Sequence, residues 1–87
     1  LKYDTPYQLL ISIVLSAQTT DKNVNIVTKN LFAKYPDMYS IGKATNSSLE
    51  KLVYSCGYYK QKAKNIKNLS KILIKEYDSK IPKQMMI

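Results

Sequence analysis

The sequence predicts an all-α domain, and three observations carry that prediction. Apolar residues recur at helical spacing along most of the chain, and no segment alternates apolar and polar residues as a half-buried strand would. Glycine (two) and proline (three) are sparse and fall where helices would end or begin. A chain of 87 residues suits one domain with a single core. It shows no internal repeat, low-complexity linker or domain boundary. With Leu1 in place of an initiator methionine and no capping signal at Met85-Met86-Ile87, residues 1–87 read as a single partial domain, cut at both ends.

The first helix starts at Thr5-Pro6-Tyr7-Gln8. Thr5 is the N-cap, Pro6 takes the first helical position, and Gln8 is placed to reach back as a capping-box partner. The run Leu9 to Leu15 leaves almost no polar face. A helix apolar nearly all round has to be wrapped by others, so Pro6–Ala17 is expected at the centre of the bundle with Leu10 and Ile13 almost wholly buried. Gln18 follows, and on local grounds it reads as a helix-terminal residue bonded to a nearby carbonyl.

Thr20 or Asp21 caps a second, amphipathic helix with Val24, Val27, Leu31 and Phe32 on one side and Lys22, Asn25 and Lys29 on the other. Tyr35-Pro36-Asp37 breaks it. A short helix over Asp37–Ile41 is expected to end at Gly42, and Lys43–Asn46 to be a loop. Ser47-Ser48-Leu49-Glu50 has the form of a capping box for a fourth helix that buries Leu49, Leu52, Val53 and Cys56, with Gly57 as its left-handed terminator. The last helix runs from Gln61 to about Tyr77, with a core stripe of Ala63, Ile66, Leu69, Leu73 and Tyr77. Lys60, Lys64, Lys67, Lys71 and Lys75 form a separate stripe at the same spacing, read equally well as a solvated face or a phosphate-binding one. Asp78-Ser79-Lys80-Ile81-Pro82 ends the helix. Of the eight tyrosines, Tyr7, Tyr35, Tyr39 and Tyr77 suit the rim of a bundle, whereas Tyr58 and Tyr59, adjacent after a glycine, cannot both be buried easily.

Composition narrows the chemistry. Fourteen lysines against six acids give a net charge of +8, which favours a polyanionic partner, although the abundance of Lys, Asn, Ile and Tyr also has the look of compositional bias. A single cysteine excludes an internal disulfide and a multi-cysteine metal site, and it fits a reducing compartment. Histidine is absent, which removes the commonest general base and metal ligand. The apolar run is too short to span a bilayer, so no membrane partner is expected.

Two blocks go further. Pro6-Tyr7-Gln8-Leu9-Leu10-Ile11-Ser12-Ile13-Val14-Leu15-Ser16-Ala17-Gln18-Thr19-Thr20-Asp21 resembles the start of the helical barrel of the endonuclease III family, the DNA glycosylase/abasic-site lyases of the helix-hairpin-helix superfamily. Cys56-Gly57-Tyr58-Tyr59-Lys60-Gln61-Lys62-Ala63-Lys64-Asn65-Ile66 is similar to that family's glycine-aliphatic-tyrosine turn and the helix after it. The resemblance implies the first part of the barrel, about five helices, and a parent that removes oxidised pyrimidines and cleaves at the abasic site.

An enzyme acting on a base within duplex DNA must extrude it and fill the gap. The family's two plugs match Gln18 and Tyr58, the latter a departure from the usual aliphatic residue. Thr19 adjoins the first plug, and Lys60 and Lys62 beside the second would suit phosphate contacts. The family's hairpin, nucleophilic lysine, catalytic aspartate and iron–sulfur cysteines have no match before Ile87. The resemblance therefore implies no catalytic residue, metal ligand or cofactor in this chain, and an iron–sulfur cluster only in a longer parent. No lysine lies in an apolar stretch that would make it a nucleophile. Ile13 stands where adenine-removing relatives carry a glutamate, which favours the pyrimidine branch. The implied partner is double-stranded DNA with a damaged base or abasic site, met by a monomer inside the cell. Two rivals remain open at this point: a stand-alone basic helical DNA-binding module, and a helical protein-interaction bundle.

Overall fold

The computed structural model describes residues 1–76. They fold into five helices: α1 (Pro6–Ser16), α2 (Asp21–Lys34), α3 (Met38–Lys43), α4 (Asn46–Leu52) and α5 (Tyr59–Glu76). The all-α expectation holds. Tyr77 and the expected helix end at 78–82 lie outside the described residues.

Local chemistry accounts for most helix starts. Thr5 Oγ1 accepts from Gln8 N (3.2 Å). Gln8 reaches back as expected, but its Oε1 takes the amide of Asp4 (2.8 Å), one residue before the cap. Thr20 caps α2 through Asn23 N (3.1 Å), with Asp21 in the first turn against the helix dipole. Asp37 and Ser40 form a reciprocal capping box on α3. The fourth helix departs from expectation. Its cap is Thr45, accepting from Ser48 N (3.2 Å), so Ser47 is already helical and the loop shrinks to Ala44 and Thr45. Gly42 does not end α3 but lies inside it, against the side chains of α5.

The core gathers Tyr7, Ile11, Leu15, Val24, Val27, Leu31, Ile41, Leu49, Val53, Ala63, Ile66 and Leu73. Within it α5 rather than α1 is the shared surface: α1, α3 and α4 all pack on α5, while α2 packs on α1 and α4. This corrects the expectation of a fully wrapped first helix. Ile13 is 47% exposed and Leu10 is only partly buried. A helix turns roughly 100° per residue, which sets Ile13 on nearly the opposite side from Ile11. Helices α2 and α5 cover only the Tyr7, Ile11, Ser12 and Leu15 stripe. The cost of roughly 2–5 kcal/mol for truncating a core isoleucine thus belongs to Ile11. Tyr7 is likewise more than a rim residue. It is buried, and its hydroxyl shares a hydrogen bond with Ser70, which itself donates to Ile66 O (2.8 Å).

Candidate nucleic-acid interface

Two loops meet at one edge of the bundle: residues 17–20 between α1 and α2, and residues 53–58 between α4 and α5. Each carries a residue in the left-handed backbone region, Gln18 (φ 64°) and Tyr58 (φ 56°). Among the described residues these are the two non-glycine residues with positive φ. The conformation costs roughly 1–2 kcal/mol per residue for a side chain with a Cβ, and such outliers cluster at functional sites. Both side chains are exposed, Tyr58 at 74%. The Gln18 side chain has no hydrogen-bond partner among the described residues, so the helix-terminal bond expected on local grounds is not formed.

The loops touch through Gly57. A Cβ there would lie 2.9 Å from Gln18 Cβ and 3.1 Å from Gln18 O, closer than real contacts allow. Gly57 was expected to end α4 in a left-handed conformation, but its φ is not positive and α4 stops at Leu52. It is glycine because Gln18 leaves no room for a side chain, and the left-handed residue is its neighbour Tyr58.

The remaining sequence-predicted site residues divide. Lys60 is exposed on the first turn of α5, where no capping side chain covers the leading amides. Thr19 is half-buried, its Oγ1 accepting from Asn23 Nδ2 (2.9 Å). Lys62 corrects the expectation of a phosphate contact. It is only 5% exposed, and its Nζ donates inward to Leu15 O (3.0 Å) and to Ala17 O. A lysine is buried after all, yet an ammonium seated on two carbonyls is a structural donor and not a free nucleophile. The sequence did carry a signal for this: Lys62, Ile66, Ser70 and Leu73 follow one another at helical spacing, and all four are buried.

Asn23 was missed altogether. Besides Thr19, its Nδ2 reaches Ser55 O (3.2 Å), and Ser55 Oγ donates to Asn23 Oδ1 (3.2 Å), so one side chain bridges both loops. Nothing in its spacing indicates the partner 32 residues away.

Around Tyr58 the edge is aromatic. Tyr59 is half-buried, its ring tilted at 52° to that of Tyr54 with centroids 4.7 Å apart, and Tyr54 is 67% exposed. Of the lysine stripe on α5, Lys64, Lys71 and Lys75 are exposed and Lys67 half-buried, and no ion pair holds any of them among the described residues. Cys56 is buried behind the loop, and burial pushes its thiol above the ordinary value against the opposing pull of the Lys62 ammonium. Among the described residues no group of three His, Cys, Asp or Glu side chains could hold a metal ion. These residues therefore do not fit an iron–sulfur cluster. Nor is any described helix long and apolar enough to cross a membrane. A groove of about 480 Å³ beside Tyr3, Ile26 and Phe32 shares no lining residue with the edge.

Comparison with known proteins gives the class to which this five-helix bundle belongs. Residues 11–87 match the model of the HhH-GPD superfamily base excision DNA repair proteins, and the chain belongs to that family. Within it, the chain is similar to Endonuclease III of Synechocystis sp., with 41% identity over 98% of this chain and 39% of that protein. Endonuclease III of Bacillus subtilis is 40% identical, with 95% of this chain and 38% of that protein covered. Among solved structures, a trapped Endonuclease III–DNA covalent intermediate, an estranged-adenine complex, superposes with a TM-score of 0.92 at 40% identity. The match covers 99% of this chain and 42% of that one. A non-covalent Endonuclease III–DNA complex gives 0.90 at 43% identity, over 94% and 38%. The chain thus spans about two-fifths of the length of these relatives, and it matches the first part of their helical fold.

Proposed function

We propose that this chain is the DNA-inserting part of a bifunctional DNA glycosylase/abasic-site lyase that acts on oxidised pyrimidines in double-stranded DNA. The observation that carries the reading is the pair Gln18 and Tyr58. They lie forty residues apart in sequence, yet both are left-handed, both are exposed, and their loops are in contact. Side chains held this way, without partners in the free protein, suit insertion into the gap left by an extruded base. Tyr58, 74% exposed, offers an aromatic wedge able to stack on a base where relatives carry an aliphatic residue. Lys60 and the leading amides of α5 would meet a phosphate next to that wedge, and Thr19 supports the Gln18 loop. Ile13 faces solvent one turn before the loop. It supplies no acid where adenine-removing relatives carry a glutamate, which supports the pyrimidine branch.

The chemistry itself belongs to residues outside this chain: the lyase lysine, the aspartate and any iron–sulfur cluster would come from the rest of a longer protein that acts as a monomer wherever the cell keeps its DNA. The test is borohydride trapping on an abasic-site duplex. The longer protein that contains this chain is expected to form a covalent imine, and residues 1–87 alone are expected to form none. An imine on any lysine of the 87-residue chain, or none with the longer protein, overturns the reading.

A further inference from the structure

We infer that Lys62 and Asn23 are positioning residues that lock the two loops of the edge into one unit, so that Gln18 and Tyr58 meet DNA already aimed. The inference rests on the reading of those two side chains as DNA-inserting.

Carbonyls in the last turn of a helix lack intrahelical partners, and Ala17 has already turned to extended backbone (φ −62°, ψ 131°). The Leu15 and Ala17 carbonyls would ordinarily be left to water. Here Lys62, from the first turn of α5, donates to both from a buried position. The residue immediately after Ala17 is Gln18, and the residue four before Lys62 is Tyr58, whose carbonyl accepts from Lys62 N (3.0 Å). One lysine thus fixes its own loop through its amide and the opposite loop through its ammonium.

A second tie is independent of the first. Asn23 holds Thr19 from one side and the Ser55 backbone and hydroxyl from the other. The third is steric, the Gly57 backbone pressed on Gln18. Three contacts of different chemistry tie together the two loops that carry the strained backbones. A lysine that merely capped a helix would not require the other two. Such a lock has a definite use, because loop backbone ordered before binding loses less freedom when its side chains enter the duplex.

The experiment uses the longer protein that contains this chain. Binding is measured to a duplex carrying a tetrahydrofuran abasic-site analogue and to the undamaged duplex, with amide hydrogen exchange over residues 17–19 and 57–59. Lys62→Met keeps the apolar stem and removes the ammonium. It is expected to speed exchange in both loops and to weaken lesion binding about 10-fold, a change of about 1.4 kcal/mol, while undamaged binding stays within about 2-fold. On a Gln18→Ala background it should cost nothing further, since coupled residues do not add. Asn23→Ala should act in the same direction and carries the test if Lys62→Met does not fold. Losses that add, or equal losses on both duplexes, overturn the inference and make Lys62 an ordinary contact or brace. Unchanged exchange in both variants overturns the lock while leaving the inserting edge intact. If Gln18→Ala itself leaves lesion preference unchanged, the edge fails, and the inference falls through its premise.

Discussion

The two ends of α1 are built on opposite principles. Its start is settled within five residues: Thr5 caps Gln8 N, Pro6 presets the first turn, and Gln8 returns to Asp4 N. Its end is settled by residues 39 to 47 positions away, with Lys62 on its carbonyls and Gly57 against Gln18. The start relaxes every group it can. The end holds Gln18 in a left-handed conformation with an idle side chain. A helix can therefore be anchored cheaply at one terminus and carry strain at the other, provided distant elements over-determine the strained end.

That contrast can be broken at either end. The largest effect belongs to the start. Tyr7 is buried against Ser70, and burial pushes its hydroxyl from 10.0 up to about 12. The unfolded chain loses that proton first as pH rises, so stability is full below about pH 10 and falls through about pH 12. The loss is of order 2–3 kcal/mol. Urea denaturation from pH 8 to 12 should follow this curve, and Tyr7→Phe should flatten it.

At the other end, Gly57→Ala forces a Cβ onto Gln18 and should cost about 1–3 kcal/mol as an overpacked contact. It should also displace the Gln18 loop, so lesion binding should fall with stability. Thr5→Ala removes a cap and should cost about 1 kcal/mol. Melting and binding measured together separate the pair, because Thr5→Ala should leave the preference for damaged over undamaged duplex unchanged. If the cap variant lost that preference as well, the two ends would not be distinct.

The same division explains what the sequence could disclose. Whatever depends on near neighbours was legible: five helices, the Thr5 and Thr20 caps, the core stripe of α5 from Ala63 to Leu73 and a buried Cys56. Errors arose where several residues compete for one local role. In Thr45-Asn46-Ser47-Ser48 each member can cap, and the choice fell on Thr45. Gly57 offered two reasons to be glycine, and close approach rather than backbone angle was the true one. The apolar run of α1 promised burial all round, but a helix is covered only where neighbours exist, and Ile13 is left 47% exposed. Within the site, resemblance singled out Gln18, Tyr58 and Lys60, and all three are exposed. It misassigned Lys62 and missed Asn23, because their partners lie 32 to 47 residues away and no pattern along the chain encodes them.

Under the proposed function, Gln18 is idle in the free protein and acts only in the duplex. Gln18→Ala in the longer protein that contains this chain tests it most directly, by melting and by affinity for a flipped-base duplex against an undamaged one. Stability should stay within about 0.5 kcal/mol, as for a surface change, while binding to the flipped-base duplex weakens and binding to undamaged DNA holds. A large fall in stability, or an equal loss on both duplexes, would contradict the account and leave Gln18 a structural residue at the end of a helix.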